Sequence, residues 1–436
     1  MSNGDCLPGG GPNSLDKRRA LLLPLLAAVA ILTYAPFLGL PPMQDDYLQM
    51  NLAERYGTPA GWADLLRDPL YRCRATSILL TAATAHWFGW SILAFNISSL
   101  ILHAVNVLLI AALGSCRWIG YPVSLTAAFV FAARERHHEA VVWYASVHEP
   151  LVVLFSLLAV LSLIRWLEGG SRLWLAASAL AWIAALASKE SGVVLAAVLP
   201  ALAWLYPERR KAAALLLAAG AASTAVYFLL AFGQRSEHQH FNDGTFSFRA
   251  HVLQTILASA ARGAWIWGGL SLAVIAVYRA RINRMPLVFA AVWFLAGLVP
   301  YSFLTYMPRI PSRHHYVASA GMALITAIAF QEFIARRRHA TLTASILACA
   351  FLAHNWAYLW ISKKPQFEWR ASLIEGFVKF VAEQPGQQVV NGCNDLNSGE
   401  ALRALHYRLG LDSETIVPAP AGAGARVYHC APPPGS

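Results

Sequence analysis

Two adjacent carboxylates, Asp45 and Asp46, open the polar segment after the first long apolar run of the chain. Like charges side by side at a membrane surface repel, so one carboxyl with a raised pKa suits proton transfer, and the pair suits a cation. The structural alternative is that Asp46 caps a helix beginning near Tyr47. Further on, Arg134-Glu135-Arg136-His137-His138-Glu139 places six ionisable residues in a row, followed by His148-Glu149. His137, His138 and Glu139 are metal-ligand types, and Glu139 is also an acid or base candidate, although the zinc spacing His-Glu-x-x-His is absent. Local pairing of Glu135 with Arg134 or Arg136 is the alternative there.

Cations for a phosphate stand elsewhere in the chain. Lys189 lies in the turn Ser188-Lys189-Glu190-Ser191, where a Lys and Glu also serve as a simple polar cap. Arg313, in Arg313-His314-His315-Tyr316, offers a guanidinium fork that matches phosphate. Arg262 sits roughly 25 Å along a helix from Arg279, near the outer interface, where it binds a lipid headgroup or snorkels. His103 and Asn106 share a helical stripe with Asn96, a pattern that favours bonds between helices over catalysis.

These residues need elements to hold them, and the composition says which. Of 436 residues, 57% are hydrophobic and 13% charged, about half the charge density of a soluble domain. That excludes an ordinary water-soluble globule, and the absence of Gly or Pro periodicity and the sparse six Cys exclude collagen-like and disulfide-scaffold chains. An all-α polytopic membrane protein remains. About eleven crossings are expected, at Ala20–Leu40, Ile92–Leu113, Pro122–Ala133, Leu151–Leu167, Leu173–Ala187, Val193–Tyr206, Ala212–Phe232, Val252–Tyr278, Pro286–Leu304, Val317–Phe333 and Leu342–Trp360. The first lacks a small-residue cleavage site and is read as a retained span.

Basic residues fix the expected orientation. Lys17, Arg18 and Arg19 precede the first span, and Arg117, Arg165, Arg209, Arg279 and Arg336 recur in alternate loops, which puts the 1–19 tail in the cytoplasm. An odd number of crossings then places residues 362–436 outside, beyond a 20–361 membrane domain whose first outer loop, 41–91, carries amphipathic helices. The net charge of +11 reflects this topology, and no continuous basic patch points to nucleic acid. Ionisable residues of both signs gather on the outer face, which marks it as the functional one.

From Ile361 the pattern becomes water-soluble. Pro365–Glu383 and Ser398–Leu409 read as helices, Gln387–Asn391 and Arg426–Cys430 as strands, giving a small α/β appendage. Cys393 and Cys430 follow the two strands, and a disulfide between them would compensate for a small core. Cys73, expected on the same face, is a competing thiol.

Taken in order, Asp45-Asp46-Tyr47, Tyr71-Arg72-Cys73-Arg74-Ala75-Thr76, Asn96 with His103 and Asn106, His137-His138-Glu139, Ser188-Lys189-Glu190 and Arg313-His314-His315-Tyr316 resemble the GT-C glycosyltransferases. The likeness is to the branch holding the transmembrane O-mannosyltransferases, without their TPR repeats, and covers roughly Leu21 to Phe333. It implies transfer of a sugar from a polyprenyl-phosphate-linked donor, on the outer, periplasmic face, to a protein, lipid or glycan acceptor. Asp45 or Asp46 would be the base or would organise a divalent metal with Glu139, the acid of a His-x-Glu element that begins at His137. Arg74, Lys189, Arg313, His315, Tyr316 and Arg262 would serve the donor phosphate and lipid, supported by His103, Asn106, His137, His138 and His148. The competing readings are a transporter or flippase of a lipid-linked glycan and a non-catalytic assembly factor. A transporter predicts internal repeats with broken helices at the midplane, whereas here the charges collect at one face.

Overall fold

A computed structural model of the chain describes residues 12–237, 239–305, 311–385, 389–411 and 426–430. Helices dominate: α1 (Pro12–Tyr34), α2 (Gln44–Tyr56), α3 (Pro59–Arg67), α4 (Ala75–Phe88), α5 (Ile92–Ala112), α6 (Tyr121–Ala133), α7 (His138–Val142), α8 (His148–Leu167) and α9 (Arg172–Leu186). They continue as α10 (Leu195–Trp204), α11 (Arg210–Gly233), α12 (Gln239–Asn242), α13 (Val252–Tyr278), α14 (Arg284–Ala296), α15 (Tyr316–Ile334), α16 (Ala340–Ala357), α17 (Lys364–Ala382) and α18 (Ser398–Leu409). Among the described residues, seven helical stretches are long and apolar enough to cross a membrane, and four shorter apolar helices join them. All fall on the eleven expected runs, so the chain is a polytopic integral membrane protein.

The bundle is built around α15, whose small residues Ala318, Ala320, Gly321, Ala323 and Ala327 are all buried. Lipid supplies no hydrophobic drive between helices, so packing relies on close backbone approach at small residues. Gly321 shows why: a Cβ there would lie 2.4 Å from the backbone N of Phe294 and 2.5 Å from the Ala290 carbonyl. Helix α1 runs toward one end of the bundle, where the Tyr34 hydroxyl donates to the Arg134 carbonyl at 2.7 Å. At the other end Arg117 pairs with Glu208 at 2.5 Å, and Tyr206 donates to Glu168 at 2.9 Å.

Helix α2 starts at Gln44, earlier than the residue near Tyr47 expected from the sequence. Asp46 is therefore the third residue of the helix, and its Oδ2 accepts from the Met43 N–H at 2.8 Å as the returning half of a capping box. The tail also departs from expectation. Helix α16 runs through a π-helical turn, Tyr358–Lys363, straight into α17, with no linker before Pro365. Strands β1 (Val389–Asn391) and β2 (Arg426–Tyr428) pair in parallel; β2 stops short of Cys430, and residues 387 and 388 of the expected first strand lie outside the described residues. Cys393 and Cys430 are joined, with Cα atoms 5.2 Å apart, and Cys73 is free.

The appendage shares one apolar cluster with the 41–91 connection: Tyr47 and Met50 of α2 pack with Leu373, Ile374, Phe377 and Leu405. Gln44 donates to the Asp395 carbonyl at 2.6 Å, and Tyr407 to Glu54 at 2.7 Å. So short a segment has too little core of its own, and α2 completes it.

Candidate active site

Three segments meet beneath the docked tail: the start of α2, the 134–149 connection and the turn before α15. Asp45 is half-buried. Burial raises its carboxyl above the usual range, against the pull of Arg313, Arg370 and Arg403. Its neighbour Asp46 is 1% exposed and fully engaged, because its Oδ1 also accepts from the Ala145 N–H at 2.7 Å. Burial lifts Asp46 to about 7, opposed by the Met43 and Ala145 amides. Asp46 thus clamps α2 to the 144–146 turn.

Glu139 accepts from the Arg313 backbone N–H at 3.2 Å and lies 4.0 Å from the Arg370 guanidinium. Burial pushes its carboxyl up, but His138, Arg313 and Arg370 outweigh this and hold it at about 2. Trp143 has two guanidinium groups against its ring, with the Cζ of Arg313 at 4.8 Å and that of Arg370 at 4.4 Å from the ring centre. Arg370 comes from α17 and Arg403, paired with Glu400 at 2.8 Å, from α18. The tail therefore contributes charge to the cleft.

His148, half-buried, stands within electrostatic reach of Arg74, Lys189, Arg313 and His314 and links this group to a second one. There Glu149, fully buried, accepts from Lys189 at 2.5 Å, from Tyr301 at 2.8 Å and from His314 at 3.3 Å. Burial lowers Lys189 to about 8, with Glu149 pulling the other way. Arg74 lies 3.5 Å from Glu190, and Thr76 bonds Ser188 at 2.7 Å, which ties the end of the 41–91 connection to the Lys189 turn. Next to this group opens an apolar cavity of about 670 Å³ between α10, α11 and α14, lined by Val193, Val194, Leu217, Phe228, Val299 and Pro300.

His103 and Asn106 make the bonds between helices that their shared stripe favours, and several other expected site residues also lie in the helix packing. His103 bonds the Tyr316 hydroxyl at 2.8 Å and the Ala132 carbonyl at 3.1 Å, and Asn106 donates to Pro150 and Tyr316. His137 bonds Ser319 at 2.6 Å and packs edge-on against Tyr316. His138 uses both ring nitrogens, toward the Glu135 carbonyl at 2.6 Å and Ser312 at 3.0 Å. Burial lowers His138 to about 4 and holds His137 well below its ordinary value. His315, expected at the donor phosphate with Tyr316, bonds the Ser259 carbonyl through Nε2 at 3.1 Å, and the Tyr316 hydroxyl is taken by His103 and Asn106 between helices. Five of the six residues from Arg134, all but the half-buried Glu139, are buried, and Glu135 pairs with Arg136 at 3.1 Å.

For a metal, no three His, Cys, Asp or Glu side chains converge among the described residues. Asp45, Asp46 and Glu139 do not form a ligand set, since both oxygens of Asp46 are held by backbone amides. Glu149, Tyr301, Trp143, Arg370 and Arg403 were not singled out from sequence. A carboxylate within an apolar helix is a legible signal for Glu149, whereas Arg370 looks like any solvated charge of an amphipathic helix.

No protein-family model matches the chain, and no curated protein matches it in sequence. Solved structures match its fold. ArnT from Cupriavidus metallidurans bound to undecaprenyl phosphate superposes with a TM-score of 0.52 and 16% identity, over 88% of this chain and 75% of that one. The Archaeoglobus fulgidus oligosaccharyltransferase, tethered to an acceptor peptide containing the NVT sequon, gives 0.50 and 12%, over 89% of this chain and 63% of its own. The chain therefore has the fold of the GT-C integral-membrane glycosyltransferases, the family that its ordered motifs resemble.

Proposed function

We propose that the protein transfers a sugar from a polyprenyl-phosphate-linked donor to a hydroxyl of a protein, lipid or glycan acceptor, at the end of the bundle that faces away from the cytoplasm. The observation that carries this reading is the apolar cavity between α10, α11 and α14. Its lining residues Val193 and Pro300 are close in sequence to Lys189 and Tyr301 of the charged group. A lipid chain in that slot would present its phosphate to Lys189 and Arg74, and ArnT, of the same fold, binds undecaprenyl phosphate. The orientation rests on the alternating basic loops.

In this reading Asp45 is the base, because its raised carboxyl and free oxygens suit it to take the acceptor proton. The acceptor oxygen bonds to the sugar's anomeric carbon as the bond from that carbon to the phosphate oxygen breaks. The electron pair leaves on phosphate, where Lys189 and Arg74 stabilise it. Glu139, held at about 2, stays ionised and orients Arg313 and Arg370.

The test is release of polyprenyl phosphate by purified protein given a polyprenyl-phosphate-linked hexose. Asp45→Asn should lower turnover about 100-fold or more while donor still binds. Turnover of Asp45→Asn at the wild-type rate would remove the assigned base. Donor binding without turnover in the wild type would favour a transporter or an assembly factor.

A further inference from the structure

A second group of cations lies apart from the cleft, where the 134–137 connection meets α13 and the π-helical turn after α16. Arg134 and Arg136 are 3% and 4% exposed. Their only carboxylate neighbour among the described ion pairs is Glu135, 3.1 Å from Arg136. Arg134 donates to the Gly263 carbonyl, and its Nε has no partner among the described residues. His315 has an unpartnered Nδ1 and lies within electrostatic reach of Arg134, Arg136 and Arg262. Two buried guanidinium groups sharing one carboxylate leave uncompensated positive charge in a medium of low dielectric, which is costly unless an anion is supplied.

Backbone irregularity converges on the same point. Trp265 is the one non-glycine residue with positive φ among the described residues, at φ 46° and ψ −150°, and it interrupts α13 inside the apolar stretch. Such conformations are essentially reserved for glycine and persist where the surroundings impose them, often at binding sites. Broken helices at membrane depth are tolerated where they are buried in protein or line a cavity. Arg136 stacks 5.0 Å from the ring of Trp265 and 5.6 Å from that of Tyr358, the first residue of the π-helical turn. Trp265 is 49% exposed and Ile266 48%, so the buried Arg136 lies against side chains that form an apolar surface of the bundle.

We infer that this cluster of cations binds the phosphate of a membrane lipid, at a site separate from the donor groove. Helix α14 stands between the two: its Phe294 closes on Gly263, while its Ala296 lines the groove. Guanidinium forks recognise phosphate oxygens bidentately, and an aromatic pair at the interface suits a lipid headgroup. The inference does not depend on the sugar-transfer reading.

The experiment uses the full-length protein in phosphatidylcholine nanodiscs doped with dioleoyl phosphatidic acid, and counts retained phosphatidic acid by native mass spectrometry. Arg136→Gln and the half-buried Arg262→Gln should each weaken retention of one lipid at least about tenfold, while Arg136→Lys keeps part of it. Arg74→Gln, on the donor side, should leave this lipid in place. Should Arg136→Gln not fold, Arg262→Gln decides alone. Wild-type retention in the glutamine variants overturns the site. Full displacement of the lipid by inorganic phosphate would show a free-phosphate pocket and overturn the lipid assignment. Loss of retention in Arg74→Gln alone would place the only lipid phosphate in the donor groove and also overturn it.

Discussion

Replacing Lys189 with Met removes the cation 2.5 Å from Glu149 and leaves a fully buried carboxylate with only the Tyr301 hydroxyl and the His314 ring as donors. Breaking a buried pair from one side costs about 3–5 kcal/mol, chiefly the burial of the orphaned charge. At about 2.1 cal/mol/K of unfolding entropy per residue, a chain of 436 residues loses roughly 3–5 °C in melting temperature. Glu149→Gln should cost less, since the partner Lys189 is already lowered to about 8 by burial and can shed its proton. The double variant Lys189→Met, Glu149→Gln carries neither charge and should regain most of the loss, yet bind polyprenyl phosphate poorly. Thermal melts of detergent-purified protein followed by tryptophan fluorescence measure all three. If Lys189→Met melts with the wild type, or if the double variant loses the sum of the single losses, the pair is not the buried anchor described.

Asp46→Asn should destabilise by about 1–3 kcal/mol, because an amide cannot accept from both the Met43 and Ala145 N–H groups; a melt equal to wild type would contradict the clamp. Tail docking should weaken as pH rises from about 6.5 to 8. Asp46 and Glu400 are both raised to about 7, mainly by burial, so their stabilising contribution is complete below their unfolded values and is lost as pH rises through 7. The lowered histidines act below their ordinary value of 6.5 and do not offset this window. Hydrogen exchange of Ser398–Leu409, corrected for intrinsic pH dependence, reads the effect, and constant or rising protection would refute it. The Cys393–Cys430 bond closes a separation of 37 residues, worth about 3–4 kcal/mol in chain entropy. Reduction should speed proteolysis of the tail, and equal cleavage rates with and without reductant would count against that role.

Part of the site was readable because chemistry stood out against an apolar background. Asp45, Glu139, Lys189 and Arg313 are ionisable groups at the ends of apolar runs; Asp45 and Glu139 lie within reach of Arg313, and His148 connects them to the second group around Lys189. His137, His138, His315 and Tyr316 carry the same residue types but turn polar atoms to Ser319, Glu135, Ser259 and His103 between helices, with one ring nitrogen each of His137 and His315 unpartnered among the described residues. Residue type does not encode that choice, since a histidine side chain serves a ligand and a neighbouring helix equally well. Arg370 was hidden for the converse reason. Its position on α17 resembles a solvated charge until the tail folds back over Trp143.

The sequence alone determined the class of protein, the positions of eleven apolar helices and the tail elements, because hydrophobic run length and periodicity are local properties that lipid thickness and the helical repeat make decisive. It also showed that ionisable residues of both signs collect in alternate connections between the apolar runs. The tertiary structure decided which carboxylate of the Asp45-Asp46 pair is free, that Glu149 anchors Lys189, and that α17 and α18 bring Arg370 and Arg403 to the cleft. Those outcomes depend on which backbone amides, rings and cations residues distant in sequence present to one another, and burial then sets the charge each group can hold.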